Sequence, residues 1–277
     1  MKNHGLFGML LAMCVGMGGL TTTSYVDAQT SKKKDAKKEE KAKPGTLGRV
    51  PALSPKGLSF GQSPKKVYQV YDKAIEKDYV KKYKKVEPGI QMQRLDYEKS
   101  QFKQAFRLSY LSLDNRPSSL DGTNLTTEFT YGNDEGVMDI KRKGKHRYMF
   151  FIKKKLWNVV DVYRLGGSSK WGSDYDAAVK RLEKILGVEG KAIKADPDNG
   201  QPYAMVQWTD GKLWLRAMDW NKQFAISYVD MGMLKQLTAL RKKNAEKEKD
   251  TIDPSVKSVL RTPKDVSGKK DDDKKKK

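Results

Sequence analysis

His146 is the side chain of this sequence whose type is best suited to acid–base chemistry, because imidazole changes charge near neutral pH. It lies in the run KRKGKHR, residues 141–147. Neighbouring cations disfavour an imidazolium ion and make a histidine a poor general base. No nucleophile motif accompanies it, so we expect a surface histidine in a basic turn. We therefore predict no catalytic residues and no enzymatic activity.

Cysteine chemistry and Cys/His metal sites are excluded once the first 28 residues are set aside. Cys14 is the only cysteine of the chain, and His4 is the only other histidine. The segment DPDNG, residues 196–200, resembles a calcium loop, but its glycine is fifth where a calcium loop has it sixth. Gln207 also stands where a bidentate Glu is needed. This segment predicts a turn between strands and no metal site.

Cofactor-binding motifs are missing from the sequence. It contains no Walker loop, no dinucleotide fingerprint and no Gly-x-Ser-x-Gly elbow. The neighbouring carboxylates Asp134 and Glu135 fit a turn, and Asp174 and Asp176 fit the positive end of a helix. We expect no cofactor, in particular no nicotinamide or nucleotide.

Two basic clusters lie at the two ends of a strand predicted over residues 147–153. A strand rises about 3.3 Å per residue, so the clusters should lie roughly 20–25 Å apart, as two basic rims. The candidate polyanion contacts are Lys141, Arg142, Lys143, Lys145, Arg147, Lys153, Lys154 and Lys155.

Aromatic side chains lie between the two clusters. Strand alternation puts Tyr148 and Phe150 on one face and Phe151 on the other. The rings either fill a core face or form an aromatic floor with a cationic border, suited to stacking on sugars or bases. The candidate aromatic surface is Tyr148, Phe150, Trp157 and Trp214.

The positive charge of the chain extends into its apolar middle. The formal net charge is +22, and residues 46–240 contribute +12 of it, with 34 Lys and Arg against 22 Asp and Glu. Such a surface attracts lipopolysaccharide, anionic lipid headgroups, wall polymers or DNA without reading a sequence. The alternative is a solvated lysine surface that only keeps the protein soluble.

Residues 1–28 have the pattern of a secretory signal peptide. Lys2 supplies the positive start, Leu6–Leu20 is apolar and rich in Gly, and Ala28 is a small residue at the expected cleavage site. The apolar stretch is shorter than the about 20 residues that span a bilayer, although a retained anchor remains the alternative. Met13 precedes Cys14 where a lipoprotein has a small residue, which argues against lipidation. We expect export to the periplasm or the medium.

Helices and strands are predicted from apolar periodicity and turn residues. Ser63 caps a helix with Pro64 at its first position, and Pro88 marks its end. Ser173 caps a later helix over residues 173–186. Further helices are predicted at 91–104 and 231–249. Strands are predicted at 105–113, 126–131, 137–142, 147–153, 156–163, 192–194, 203–208, 212–218 and 224–228.

These elements predict an α+β fold of two related halves, residues 46–165 and 166–240, packed as one body. Each half runs from a helix into an antiparallel sheet, and we expect a meander with one apolar face in the first half. Residues 29–45 are predicted to be a disordered Lys-rich linker. Residues 241–277 are predicted to be the end of a helix and a disordered charged tail.

The helix entry GLSFGQS, residues 57–63, is similar to that of the exported β-lactamase-inhibitor-protein-like α+β modules, which include the small lipoprotein of the outer-membrane assembly machinery. Gly57, Leu58, Ser63 and Val67 occupy the places where that family has a glycine, an apolar residue, a hydroxyl residue and an apolar residue four positions on. The resemblance implies a binding or scaffolding role without catalysis.

Three functions remain open at this point. A non-enzymatic scaffold at the cell envelope would bind an envelope protein through an exposed apolar or aromatic groove on its sheet. A polyanion binder would use the basic surface and tails to hold lipopolysaccharide, a wall polymer, lipid headgroups or DNA. A hydrolase with an unrecognised site would hold His146 or paired carboxylates in a pocket.

Overall fold

The structure is a computed structural model that describes residues 43–48, 51–114, 116–199, 201–220 and 222–251. The expectations for the signal peptide, most of the Lys-rich linker and the charged tail lie outside these residues. The helices and strands, in chain order, are α1 Pro64–Tyr83, α2 Ile90–Leu108, β1 Leu111–Ser112, β2 Glu135–Arg142, β3 Lys145–Ile152, β4 Lys155–Arg164, α3 Tyr175–Leu186, β5 Lys191–Ile193, a 3-10 turn Pro197–Asn199, β6 Met205–Thr209, β7 Leu213–Asp219, β8 Gln223–Asp230 and α4 Met231–Thr251.

All eight of these strands form one antiparallel sheet in the order β1-β2-β3-β4-β8-β7-β6-β5. The first half of the chain supplies β1 to β4 and the second half β5 to β8. The two sets meet where β4 pairs with β8, with Val160 opposite Ser227. Each set follows a helix in the chain, and the order of the strands is mirrored about the β4–β8 pair. The predicted α+β class is confirmed.

Helices α1, α2 and α3 cover one face of the sheet. Ser63 caps α1 as predicted, since its side chain accepts a hydrogen bond from the amide of Lys66. Helix α1 buries Val67, Tyr71 and Ile75 against β2, β3 and β4. Helix α3 packs Ala178, Val179 and Leu182 against β6, β7 and β8 in the same way.

The opposite face is covered by the connection between β1 and β2 and by α4. Leu120, Leu125 and Phe129 of that connection pack in one cluster with Phe150 of β3 and Leu237 of α4. A sheet covered on both faces has strands that are apolar almost throughout. Strands β2, β3 and β4 form the predicted meander. Eight of the ten residues of β4 are buried, so the expectation that only one face is apolar is wrong.

The strand predicted over 126–131 is wrong, and the strand predicted over 105–113 is correct only at Leu111–Ser112, which form β1. Residues 105–108 continue α2, because Phe106 is buried against Tyr71, with ring centroids 4.9 Å apart. Residues 126–131 form turns, in which the amide of Glu128 donates to the carbonyl of Leu125. In each segment one phenylalanine, Phe106 or Phe129, is buried by tertiary contacts that period-2 alternation does not reveal.

The cap of α3 lies one residue later than predicted. Asp174 is the N-cap, since its carboxylate accepts from the amide of Ala177 at 2.8 Å, and Ser173 donates its hydroxyl to Asp174 at 2.7 Å. Within the described ranges, none of the helices is long and apolar enough to cross a membrane.

Phe150 and Trp157, predicted as candidates for an aromatic surface, are buried in the core. Phe150 lies on a central strand and is fully buried. Between Phe150 and Phe151 the partner residue on β4 jumps from Asn158 to Leu156, so Trp157 is the extra residue of a β-bulge. The bulge turns its indole into the cluster under the β1–β2 connection, where it is 2% exposed.

Gly190 tests the packing of the second half. A Cβ at this position would lie 2.1 Å from Cγ1 of Val206 and 2.6 Å from the indole of Trp208. Trp208 is fully buried and cannot yield. We therefore expect Gly190→Ala to lower the free energy of unfolding by about 1–3 kcal/mol, measured as the urea midpoint. Gly167→Ala is the matched control, because a Cβ there meets no atom within 4 Å. An equal effect of both substitutions would contradict the packing argument.

Candidate functional site

A cleft of about 1150 Å³ opens at one end of the sheet. The turn between β2 and β3, the end of β4 and the start of β8 meet there, and residues 122–125 and 164–170 complete its walls. Lys143 and Gly144 form the turn with φ angles of 53° and 72°. Two positive φ angles are typical of the tight hairpin turn that matches the twist of the strands. The turn thus projects the basic run of the sequence into the cleft.

We call this cleft the basic cleft, because the charged residues that line it all carry positive charge. Among the described residues its lining contains no Asp or Glu. The six cationic side chains are those of Lys141, Arg142, Lys143, Lys145, Arg164 and Lys170. Four of them belong to the predicted polyanion contacts, and Arg164 and Lys170 do not.

Arg147 does not reach the cleft and is no polyanion contact, contrary to prediction. It is 2% exposed and donates two hydrogen bonds to Asp161, from Nε to Oδ1 at 2.5 Å and from Nη2 to Oδ2 at 2.6 Å. It also donates to the Tyr71 hydroxyl and the Ser54 carbonyl. Four of its five N–H donors are thus occupied and its charge is paired, so the buried guanidinium does not serve a ligand in the cleft.

Asp161 also holds Lys145 at the cleft. The Lys145 ammonium lies 2.6 Å from Oδ2 of Asp161. Burial lowers the pKa of Lys145; Asp161 opposes this shift, and repulsion from Arg147 and Lys170 adds to it. Burial would raise the pKa of Asp161, but the hydrogen bonds and charges of Arg147 and Lys145 hold it below its usual value. Two cations thus share one buried carboxylate.

Asp78 of α1 likewise pairs with two cations, at the tip of the β2–β3 hairpin. Its carboxylate contacts Nε of Arg142 at 2.5 Å and Nζ of Lys143 at 2.9 Å. Burial opposes ionisation, yet the hydrogen bonds from Lys143 and Arg142 hold the pKa of Asp78 below its usual value. Here too one carboxylate serves two cations, so the pairing leaves positive charge in excess.

Three lining cations are in no ion pair with any described residue: Lys141, Arg164 and Lys170. All three are exposed. The Lys170 ammonium lies 4.7 Å from the centroid of the Tyr163 ring and 5.4 Å from that of Trp171. These contacts orient its side chain without neutralising it.

His146 lines the cleft and makes hydrogen bonds from both ring nitrogens. Nε2 lies 2.6 Å from Oδ2 of Asp139, and Nδ1 lies 2.8 Å from the Tyr148 hydroxyl. Burial and the charge of Asp139 raise the pKa of Tyr148 to about 12. The phenol therefore stays protonated at neutral pH and acts as a hydrogen-bond donor rather than a nucleophile.

The second predicted basic rim lies at the other end of β3. Lys153 and Lys154 form the turn between β3 and β4, and both are exposed, as is Lys155. None of the three lines the basic cleft. The prediction of two separate rims is confirmed, since the β2–β3 and β3–β4 turns close opposite ends of one strand.

The remaining candidate aromatics are half-buried. Tyr148 lines the basic cleft. Trp214 lies on β7, where its indole donates to Oε1 of Gln207 at 2.9 Å and the Arg216 guanidinium covers its ring at 4.6 Å. It does not line the cleft, so the predicted aromatic surface does not form there.

The predicted site residues did not include Arg164, Lys170 or the two carboxylates of Asp78 and Asp161 that pair with the lining cations. The segment LGGSSK, residues 165–170, did carry a signal, because small polar residues between two cations are typical of loops that approach an anion closely. Asp78 and Asp161 carried none, since their partners come from other elements.

Comparisons with protein-family models, curated proteins and solved structures found no match to this chain. In the described part of the chain, no group of three His, Cys, Asp or Glu side chains is placed to hold a metal ion.

Asp161→Asn tests the ion pair below the cleft. The substitution leaves Arg147 buried without its counterion, so we expect a loss of about 3–5 kcal/mol in the free energy of unfolding at pH 7. Because the pKa of Asp161 is lowered in the folded state, its contribution is complete above about pH 4 and declines as the pH falls further. Urea unfolding should therefore show the gap between wild type and variant narrowing below pH 4.

The control replaces both charges, as Arg147→Met with Asp161→Leu. This variant leaves no unpaired charge in the core, and Lys145, which also loses its partner, still reaches solvent at the cleft. It should therefore be more stable than Asp161→Asn at pH 7. A gap between wild type and Asp161→Asn that stays constant from pH 7 to pH 3 would contradict the linkage.

Proposed function

We propose that this chain is a non-enzymatic binding protein that holds an anionic ligand in the basic cleft. The observation that carries the proposal is the composition of the lining, which has six cations and no carboxylate among the described residues. Lys141, Arg164 and Lys170 would contact the ligand first, because they are exposed and in no ion pair with a described residue.

Like charges gathered in one concave site repel one another, and an anion relieves this repulsion when it binds. Lys145 and Lys170 are close enough that Lys170 contributes to the lowered pKa of Lys145. A concave basic surface also focuses its field and speeds the arrival of anions. Both effects weaken with salt, so the affinity should fall as the salt concentration rises.

Recognition in this cleft rests on charge rather than on stacking. Trp220 lines the cleft but is only 3% exposed, and Tyr148 is half-buried and hydrogen-bonded to His146. A base or sugar ring needs an exposed aromatic face on which to stack. The preferred ligand is therefore an anion such as a phosphate ester or a polyphosphate.

The other two functions find less support in the geometry. A scaffold with an open apolar groove on its sheet conflicts with the cover that both faces have in the described residues. A hydrolase would need a nucleophile beside His146, and the hydroxyl in contact with it belongs to Tyr148, which stays protonated.

The proposed location is the cell envelope. It rests on the secretory pattern of residues 1–28 and on the resemblance of the helix entry to exported binding modules. An exported basic protein meets lipopolysaccharide, wall polymers and anionic headgroups, all of which carry phosphate or carboxylate groups.

The test replaces the three cations without an ion pair, as Lys141→Gln, Arg164→Gln and Lys170→Gln together. The probe is tripolyphosphate, titrated calorimetrically across a salt series. We expect about tenfold or greater loss of affinity at low salt. The affinity of the variant should also depend less steeply on salt than that of wild type, since three charged contacts are lost. Exposed substitutions of this kind should leave the urea midpoint within about 0.5 kcal/mol of wild type.

The matched control removes the same number of charges from the opposite end of β3, as Lys153→Gln, Lys154→Gln and Lys155→Gln. This variant should bind tripolyphosphate within about twofold of wild type, because none of these residues lines the cleft. Equal losses in the two variants would mean that net charge alone attracts the anion, and the cleft would lose its assignment.

A further inference from the structure

A second basic cleft lies on the other side of the β2–β3 hairpin tip. It has a volume of about 500 Å³ and is formed between α1, residues 55–57 and the hairpin. Its cationic lining residues are Lys56, Lys66, Lys73, Lys77, Arg142 and Lys143. Its one carboxylate, Asp78, is already shared by Arg142 and Lys143. The other four lysines are in no ion pair with a described residue.

Three lysines of α1 are spaced to form one edge of this second cleft. Lys66, Lys73 and Lys77 follow one another at intervals of seven and four residues, so they lie on one face of the helix. All three are exposed. At a rise of about 1.5 Å per residue, this row of ammonium groups extends over about 17 Å.

The two clefts are joined by shared residues. Arg142 and Lys143 line both of them. A small cavity of about 10 Å³ lies between them, and Arg142, Lys145 and Arg147 all contribute to its wall. Pro55 links that cavity to the second cleft, and Lys145 links it to the first. Arg142 and Lys143 therefore connect the cationic lining of the first cleft to the lysines of α1.

We infer that the ligand is a linear chain of phosphate groups that lies across both clefts, held through its repeated charges. The inference rests on the proposed function and specifies its ligand. A single small anion would occupy the first cleft and leave the lysines of α1 without a partner. A chain passes over Arg142 and Lys143 and reaches the row on α1, so each further contact releases counterions and raises the affinity.

The chemistry of the lining favours phosphate over ring recognition. Lysine ammonium groups act as point charges that donate hydrogen bonds to phosphate oxygens in many orientations. The second cleft contains no aromatic residue among those that line it in the described structure. A chain of this kind needs no particular base or sugar, so inorganic polyphosphate contains every group that the two clefts recognise.

The experiment compares tripolyphosphate with long-chain polyphosphate on the full-length protein, using Lys73→Gln with Lys77→Gln. Both residues line the second cleft, and neither lines the first. We expect about fivefold weaker binding of the long chain at low salt and a salt slope shallower by about 1.4. Tripolyphosphate should bind within about twofold of wild type, because it is held in the first cleft.

The control is Lys84→Gln with Lys85→Gln, which removes equal charge just beyond α1. These residues are exposed and line neither cleft, so the affinity for both probes should stay unchanged.

Each other outcome is decisive. Equal weakening of both probes, or of neither, would overturn the extended site, while the variant of Lys141, Arg164 and Lys170 would still decide the proposed function separately. Failure of the wild-type protein to bind either probe would overturn both proposals. The last probe is a single-stranded oligothymidylate with the same number of phosphates as the long-chain polyphosphate. Binding much tighter than that of polyphosphate would mean that bases contribute, and would overturn recognition by phosphate charge alone.

Discussion

The carboxylate of Asp161 is the group on which the site depends. It is buried in the middle of the sheet and accepts hydrogen bonds from Arg147, Lys145 and Tyr163. Through Arg147 it connects β4 to Tyr71 of α1 and to the Ser54 carbonyl beside the second cleft. Because desolvation largely cancels the attraction within a buried ion pair, its main effect here is geometric. It removes one cation from the surface and holds another at the edge of the cleft.

The cover on both faces of the sheet decides where a ligand can bind. With α1, α2 and α3 on one side and the β1–β2 connection and α4 on the other, the central strands β4 and β8 are mostly buried. The open positions lie at the ends of the strands, where turns carry polar side chains into solvent. The tip of the β2–β3 hairpin is such a position, and it borders both clefts.

Local patterns in the sequence were sufficient for elements whose determinants lie close together in the chain. Ser63 and Pro64 mark the start of α1, where the Ser63 side chain accepts from the amide of Lys66. Local patterns were insufficient where a contact between distant segments decided the secondary structure or the burial of a side chain. The alternating residues 105–113 resemble a strand, but Phe106 packs on α1 and extends a helix. Phe150 and Trp157 looked available for a ligand because apolar alternation does not reveal what covers a strand.

By itself, the sequence determined the α+β class, the basic character of the folded region, the charged tip of the β2–β3 hairpin and the separation of the two rims. These follow from composition, turn residues and strand periodicity, all of which are local. Only the tertiary structure decided that Arg147 is buried by Asp161, and that Arg164 and Lys170 join the hairpin tip in one cleft. It also placed the lysines of α1 beside that tip. The physical reason is that each of these arrangements depends on strand register and helix docking between segments far apart in the chain, which no local pattern encodes.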